Sequence, residues 1–157
     1  MIFLITGAVN QGKSTYIFNL YQKLSQGDGF YNHKIYEQNR LVGQEIVHFA
    51  TGETRLLSAV DGFLPQKWCE ECRYGRFSFS KEGLDFGRNI IRNALSNHIQ
   101  PIFLDEIGPL EINGNGFSKI VTLLLSASVE TYLVVREKCL ESVINKFEIT
   151  EYELIKV

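Results

Sequence analysis

Two short stretches hold residue types whose spacing can do chemistry: "GAVNQGKST", Gly7 to Thr15, and "PIFLDEIGPLE", Pro101 to Glu111. In the second, the apolar residues Ile102, Phe103 and Leu104 run straight into two adjacent carboxylates, Asp105 and Glu106. A strand entering a core gains nothing from two charges at its end, because burying an unpaired charge is costly. The pair therefore calls for a cationic partner or a reaction that uses it.

The first stretch supplies both. Gly7, four residues, then Gly12, Lys13 and Ser14 fit the pattern G-x-x-x-x-G-K-[ST], the phosphate-binding loop called Walker A. Gly7, Ala8, Val9, Asn10, Gln11 and Gly12 would present backbone N–H groups that wrap an oxyanion, and the glycines permit the tight path. Lys13, Ser14 and Thr15 open a helix whose positive end faces the phosphates. Lys13 would reach the β- and γ-phosphates, and Ser14 would ligate Mg²⁺.

The acids then acquire roles. An apolar strand ending in Asp is the Walker B pattern, so Asp105 would hold Mg²⁺ beside Ser14. Glu106 sits where a carboxylate could take the proton of water attacking the γ-phosphate. A base poised for water points to hydrolysis rather than transfer. The bland alternatives are a Gly-rich turn before a helix and a solvated acidic turn. Their co-occurrence in one chain argues against both.

These residues need elements to position them. "IFLIT" (2–6) reads as a strand buried on both faces. Ile17, Leu20, Tyr21 and Leu24 mark a helix over 13–26 that stops near Gly27. Residues 29–58 alternate loosely, with turn signals at "EQNR" and "TGE", and predict an antiparallel hairpin or meander. Residues 59–80 carry no clear period. Leu84, Ile91, Ala94 and Leu95 predict a helix over 81–98, and Phe117, Ile120, Val121, Leu124 and Leu125 a third helical stripe. "TYLVV" (131–135) is a strand, Leu140, Val143, Ile144 and Phe147 mark a fourth helix, and "YELIKV" is a closing strand. The alternation predicts one domain over 1–157, a three-layer α/β fold with a mainly parallel sheet and an antiparallel β-hairpin insert. Arg136 follows "TYLVV". If that strand neighbours the loop strand, its C-terminal end faces the ligand. Arg136 would then stabilise transition-state charge; a surface arginine is the equal alternative.

Composition limits the rest. The chain has 157 residues, 45% hydrophobic and 22% charged, with net charge −2. That balance is globular and gives no strong pull toward nucleic acid or anionic membrane. Apolar runs are too short to span a membrane, and the N-terminus lacks the features of a signal peptide. Three cysteines make a poor disulfide framework and predict a reducing, cytoplasmic setting. Cys69 and Cys72 have C-x-x-C spacing, but structural zinc needs four ligands. Cys139, His33, His48, His98 or a second copy of the chain could complete such a site. Two reduced thiols in a loop is the simpler reading, and a redox pair the third. Arg73, Arg76, Arg88 and Arg92 form a loose basic group that reads as a solvated face.

At "DEIGPLE" the chain resembles the small nucleoside-triphosphatase family first described from thermophiles, within the additional-strand, catalytic-glutamate division of P-loop proteins. The resemblance also covers the N-terminal strand and loop, the "GF" of Gly29 and Phe30, and the "TGE" of Thr51 to Glu53. It is weak over 59–80 and after 140. It implies a P-loop NTPase fold, Mg²⁺-dependent hydrolysis of nucleoside triphosphates with broad base tolerance, and a nucleotide lined by the Walker A residues and the segment around Asp105. Two departures stand out: Asn10 replaces the family's middle glycine, and Ser14 a more familiar threonine. Asn tolerates left-handed backbone, and Ser keeps the hydroxyl. Two rival functions remain at this level. One is a small nucleotide-dependent kinase with an acceptor near the insert. The other is a nucleotide-gated binding module with no significant turnover, whose protein partner the sequence does not identify.

Overall fold

Chain order runs β1 (Ile2–Thr6), α1 (Lys13–Leu24), β2 (Asp28–Glu37), β3 (Arg40–His48), β4 (Thr54–Val60), β5 (Glu70–Tyr74), β6 (Phe77–Ser80), α2 (Lys81–Ser96), β7 (Ile102–Ile107), α3 (Pro109–Ile112), α4 (Ser118–Ser126), β8 (Thr131–Val135), a 3₁₀ turn (Glu137–Cys139), α5 (Leu140–Lys146) and β9 (Glu153–Lys156). This is a computed structural model that describes residues 1–8 and 12–157. The expected phosphate-loop residues Val9, Asn10 and Gln11 lie outside the described residues.

Among the described residues, nine strands join one sheet, ordered β5-β6-β4-β3-β2-β7-β8-β1-β9. From β2 to β9 every pairing is parallel; from β2 outward to β5 every pairing is antiparallel. The expected hairpin insert is therefore the near part of a larger antiparallel wing. β2 belongs to both halves: Asp28 to Phe30 pair with β7, and Phe30 to Glu37 pair with β3. The β5–β6 hairpin falls in the segment whose sequence showed no period. β5 has no fully buried residue, so it carries no alternation to read.

The parallel strands alternate between two cores. Leu4, Leu104 and Leu133 face one apolar cluster with residues of α2, α4 and α5. Ile5, Phe103 and Val134 face another with Ile17 and Leu20 of α1. Both faces are covered, which is why these strands read as unbroken apolar runs. Each such side chain taken from water contributes about 1.5–3 kcal/mol. At its start, α2 is capped by Ser80, whose Oγ accepts from the Gly83 N–H at 2.8 Å and donates to the Leu56 carbonyl at 3.1 Å. The cap anchors the helix to β4 and is worth about 1 kcal/mol.

Two local features aim the site. Gly29 has φ 146°, and a Cβ there would stand 1.9 Å from the Phe103 carbonyl oxygen, so only glycine lets β2 lie against β7. The register of β7 on β8 slips between Asp105, opposite Val134, and Ile107, opposite Val135. Glu106 is the extra residue of that bulge, and bulges re-aim side chains beside functional sites.

Candidate active site

α1 begins at Lys13, with Gly12 before it at φ 85°. Lys13 is 8% exposed, and its Nζ donates to the carbonyls of Gly7 and Ala8 at 2.9 and 3.1 Å. The ammonium thus folds back over the loop entrance. Next to it on α1, the Ser14 hydroxyl donates to Asp105 Oδ2 at 2.6 Å. The backbone N–H of Asn32 reaches the same oxygen at 3.1 Å. The structure therefore brings the Walker A serine and the first acid together across 91 residues of sequence.

Asp105 is 1% exposed. Burial pushes its pKa up to about 7, and the neighbouring Glu106 charge adds to the rise. The bonds from Ser14 and Asn32 and the charge of Lys13 pull the other way. The carboxylate is thus short of positive charge. Ser14 and Asp105 are hard oxygen donors at the mouth of a phosphate loop, which suits Mg²⁺, a cation that takes one or two protein ligands and fills its shell with phosphate and water oxygens.

Glu106 turns off the ladder into a cleft of about 600 Å³ that also contacts Gly12, Lys13, Ser14 and Thr15. Arg136 Nε donates to its Oε1 at 2.8 Å. The side chain of Arg136 is 42% exposed and that of Glu106 15%. Arg136 does stand at the C-terminal end of β8 beside the site, but as the ion-pair partner of Glu106.

The rest of the cleft comes from residues that sequence reasoning did not single out. Phe18 of α1 and Tyr31, Asn32, His33, Lys34 and Tyr36 of β2 form its outer wall. β2 showed only loose alternation, so nothing marked those side chains in advance. Glu111 was also missed, although it lies inside "DEIGPLE". It is 4% exposed, and it accepts from Gly108 N at 2.8 Å and Phe117 N at 3.0 Å. It thereby ties the start of α3 to the loop before α4. A readable signal existed: a Glu three residues into a helix that starts at Pro109, reaching back to the residue before it. Burial pushes its pKa up to about 7 despite those bonds.

Cys69 is exposed, and Cys72 and Cys139 are half-buried; all three are free thiols. Among the described residues, no group of three or more His, Cys, Asp or Glu side chains is placed to hold a metal. Arg88 does not sit on a solvated face: its side chain is 17% exposed, and it bridges Glu71, Asp85 and the Gly116 carbonyl. Among the described residues, no helix is long and apolar enough to cross a membrane.

A family model described as NTPase matches residues 2–157. A nucleoside-triphosphatase THEP1 from Methanothermobacter thermautotrophicus is 32% identical over 149 residues, which covers 91% of this chain and 80% of that protein. The protein of the same name from Methanosarcina acetivorans is 31% identical over 129 residues, covering 78% and 69%. Among solved structures, the crystal structure of THEP1 from the hyperthermophile Aquifex aeolicus aligns with a TM-score of 0.75 at 20% identity, over 99% of this chain and 89% of that one. The solution structure of a human cancer-related nucleoside triphosphatase aligns at 0.70 with 22% identity, over 99% and 87%. These structural likenesses carry the fold: a P-loop NTPase architecture.

Proposed function

This chain belongs to the NTPase family, and from that premise we propose that it hydrolyses nucleoside 5'-triphosphates to diphosphate and phosphate, with Mg²⁺ and with broad base tolerance. The observation that carries the proposal is the placement of Glu106. It is a largely buried carboxylate in the same cleft as Lys13 and Ser14, oriented by Arg136 at 2.8 Å.

Each group has a task. The loop of residues 7–12 and the α1 N-terminus cradle the phosphates. Lys13 exchanges its two carbonyl partners for β- and γ-phosphate oxygens. Ser14 and Asp105 would hold Mg²⁺, which supplies positive charge against the phosphate oxygens when bound. Arg136 keeps Glu106 pointed, and Glu106 takes a proton from water. A positioned base of this kind contributes about 10²–10⁴-fold in rate. Arg136 lines the cavity beside the cleft rather than the cleft itself, so it would act on transition-state charge through its bond to Glu106.

Broad base tolerance has a physical support. The outer cleft offers the rings of Phe18, Tyr31 and Tyr36, and stacking on aromatic faces does not depend on base identity. Three free thiols fit a reducing compartment, so we place the protein in the cytoplasm.

The test is steady-state phosphate release from a panel of purine and pyrimidine triphosphates, with and without Mg²⁺ and with no acceptor present. Release from several triphosphates that requires Mg²⁺ supports the reading. Release only when a hydroxyl acceptor is added would replace hydrolysis with transfer.

A further inference from the structure

Asn32 and Glu106 line the nucleotide cleft and also a second, smaller cavity of about 40 Å³. Gln44 of β3, Arg136, Tyr74 and Glu111 also line it, Glu111 with both carboxylate oxygens already bonded to the N–H groups of Gly108 and Phe117, and Leu84 and Phe117 are among its apolar side chains. β2–β3 register sets Asn32 opposite Ile46 and Lys34 opposite Gln44, so the two amides are diagonal neighbours on one face of the sheet.

In this wall one buried acceptor lacks a partner among the described residues, and a second amide lies beside it. Asn32 Oδ1 is buried and has no hydrogen-bond partner among the described residues. Gln44 is 8% exposed, and among the described residues its side-chain amide makes no hydrogen bond. Leaving a buried acceptor unsatisfied costs about 1–3 kcal/mol. Dry cavities in proteins are apolar, and a polar cavity above roughly 10–15 Å³ can take a water. This one is polar on one side and large enough. The remaining free valence points the same way: Arg136 Nε takes Glu106 Oε1, which leaves Oε2 available.

We propose that this cavity is the seat of the attacking water, held by Asn32 and Gln44 against Glu106 Oε2. The inference rests on the hydrolytic reading above. The water oxygen forms a bond to the γ-phosphorus as the bond from that phosphorus to the β–γ bridging oxygen breaks. The electron pair of that bond leaves with the diphosphate. The proton lost by the water passes to Glu106 Oε2 and from there to solvent through the cleft. Gln44 does not line the nucleotide cleft, so it is a positioning residue for the nucleophile and not for the nucleotide.

That separation defines the experiment. Gln44→Leu and Glu106→Gln are assayed in parallel for phosphate release, and both are titrated with a nonhydrolysable triphosphate analogue. Gln44→Leu is expected to lose roughly ten- to a hundredfold in kcat through misplacement of the water, with KM and analogue affinity within about twofold. A crystal structure of the wild-type protein with the analogue and Mg²⁺ is expected to show an ordered water within about 3 Å of Asn32 Oδ1, the Gln44 amide and Glu106. Wild-type kcat in Gln44→Leu, beside an inactive Glu106→Gln, overturns the water site alone. Wild-type release in Glu106→Gln removes Glu106 as the base and overturns the water site with it, whereas no phosphate release from the wild-type protein overturns the hydrolytic reading. If Gln44→Leu does not fold, the crystal structure decides, and a dry cavity there overturns the proposal.

Discussion

In the parallel block, Asp105, Glu111 and Lys13 are 1, 4 and 8% exposed. In the antiparallel wing, the side chains of Arg73, Asp61 and Glu70 are 39, 76 and 41% exposed and pair with one another at the surface. Both regions are rich in charge, yet the charges stand in different media. On the wing, water screens each pair, and such contacts contribute little. In the block, burial raises the carboxylates to about 7. Each such group there needs a partner, a cation or a proton. The contrast teaches that charge count alone does not mark a site; charge at the C-terminal end of a doubly covered strand does.

Substitutions can break or sharpen that contrast. The largest effect is expected from Glu106→Gln, which keeps shape and the bond from Arg136 but removes the base. Turnover should fall about 10²–10⁴-fold, or roughly 3–5 kcal/mol of barrier, at near-constant nucleotide affinity. Phosphate release above about a third of wild type would remove Glu106 from its role as base.

Next comes pH. The Glu111 carboxyl is raised from 4.5 to about 7 in the folded chain. A raised carboxyl favours the protonated folded state, so its stabilising contribution is complete below the unfolded value and is lost as pH rises through the folded one. The span of about 2.5 units at 1.36 kcal/mol each gives roughly 3 kcal/mol of stability lost between about pH 4.5 and 7. Urea titrations of the metal-free protein should show the decline, and Glu111→Gln should flatten it. An unchanged slope in the variant would assign the decline to other groups, Asp105 first.

Lys13→Ala ranks third. Its charged hydrogen bonds to phosphate are each worth about 1.5–3 kcal/mol, so calorimetry should find triphosphate binding weakened at least about tenfold. Unchanged affinity would undo the phosphate-loop assignment. Arg73→Ala on the wing comes last, with melting temperature and phosphate release expected to match wild type. A clear loss of release there would show that the wing's surface charge reaches the site and would erase the contrast.

Legibility followed the same division. β1, α1, β7 and β8 were readable because burial on both faces, or along one helical stripe, leaves a strong period in the sequence. Ser14 and Asp105 were readable because the phosphate loop fixes residue types at fixed spacing. "GF" and "TGE" now have physical reasons. Gly29 lies on the β7 backbone, and Thr51 Oγ1 sits 2.9 Å from the ring of His48, which in turn pairs with Asp28 at 2.9 Å. The β5–β6 hairpin was not readable, because an edge strand exposed on nearly every residue has no pattern. Asn32, Gln44 and the aromatic wall were not readable either. Their importance comes from register across β2 and β3, and register is a tertiary property.

β1, the strand that leads into the phosphate loop, is flanked by β8 and by β9, with Leu4 opposite Leu154. The N–H of Val157 donates to the Thr6 carbonyl at 2.8 Å, and the Val157 carbonyl oxygen lies 2.7 Å from where a Gly7 Cβ would stand. During synthesis, the loop is therefore made early and its flanking strands last. At about 5–20 residues per second, the roughly 120 residues to β8 and 140 to β9 correspond to about 6–28 s. Until β8 follows, β1 has unpaired edges on both sides, and until β9 follows, on one. The strand that leads into the phosphate loop is thus closed on each side by strands that follow it in the chain.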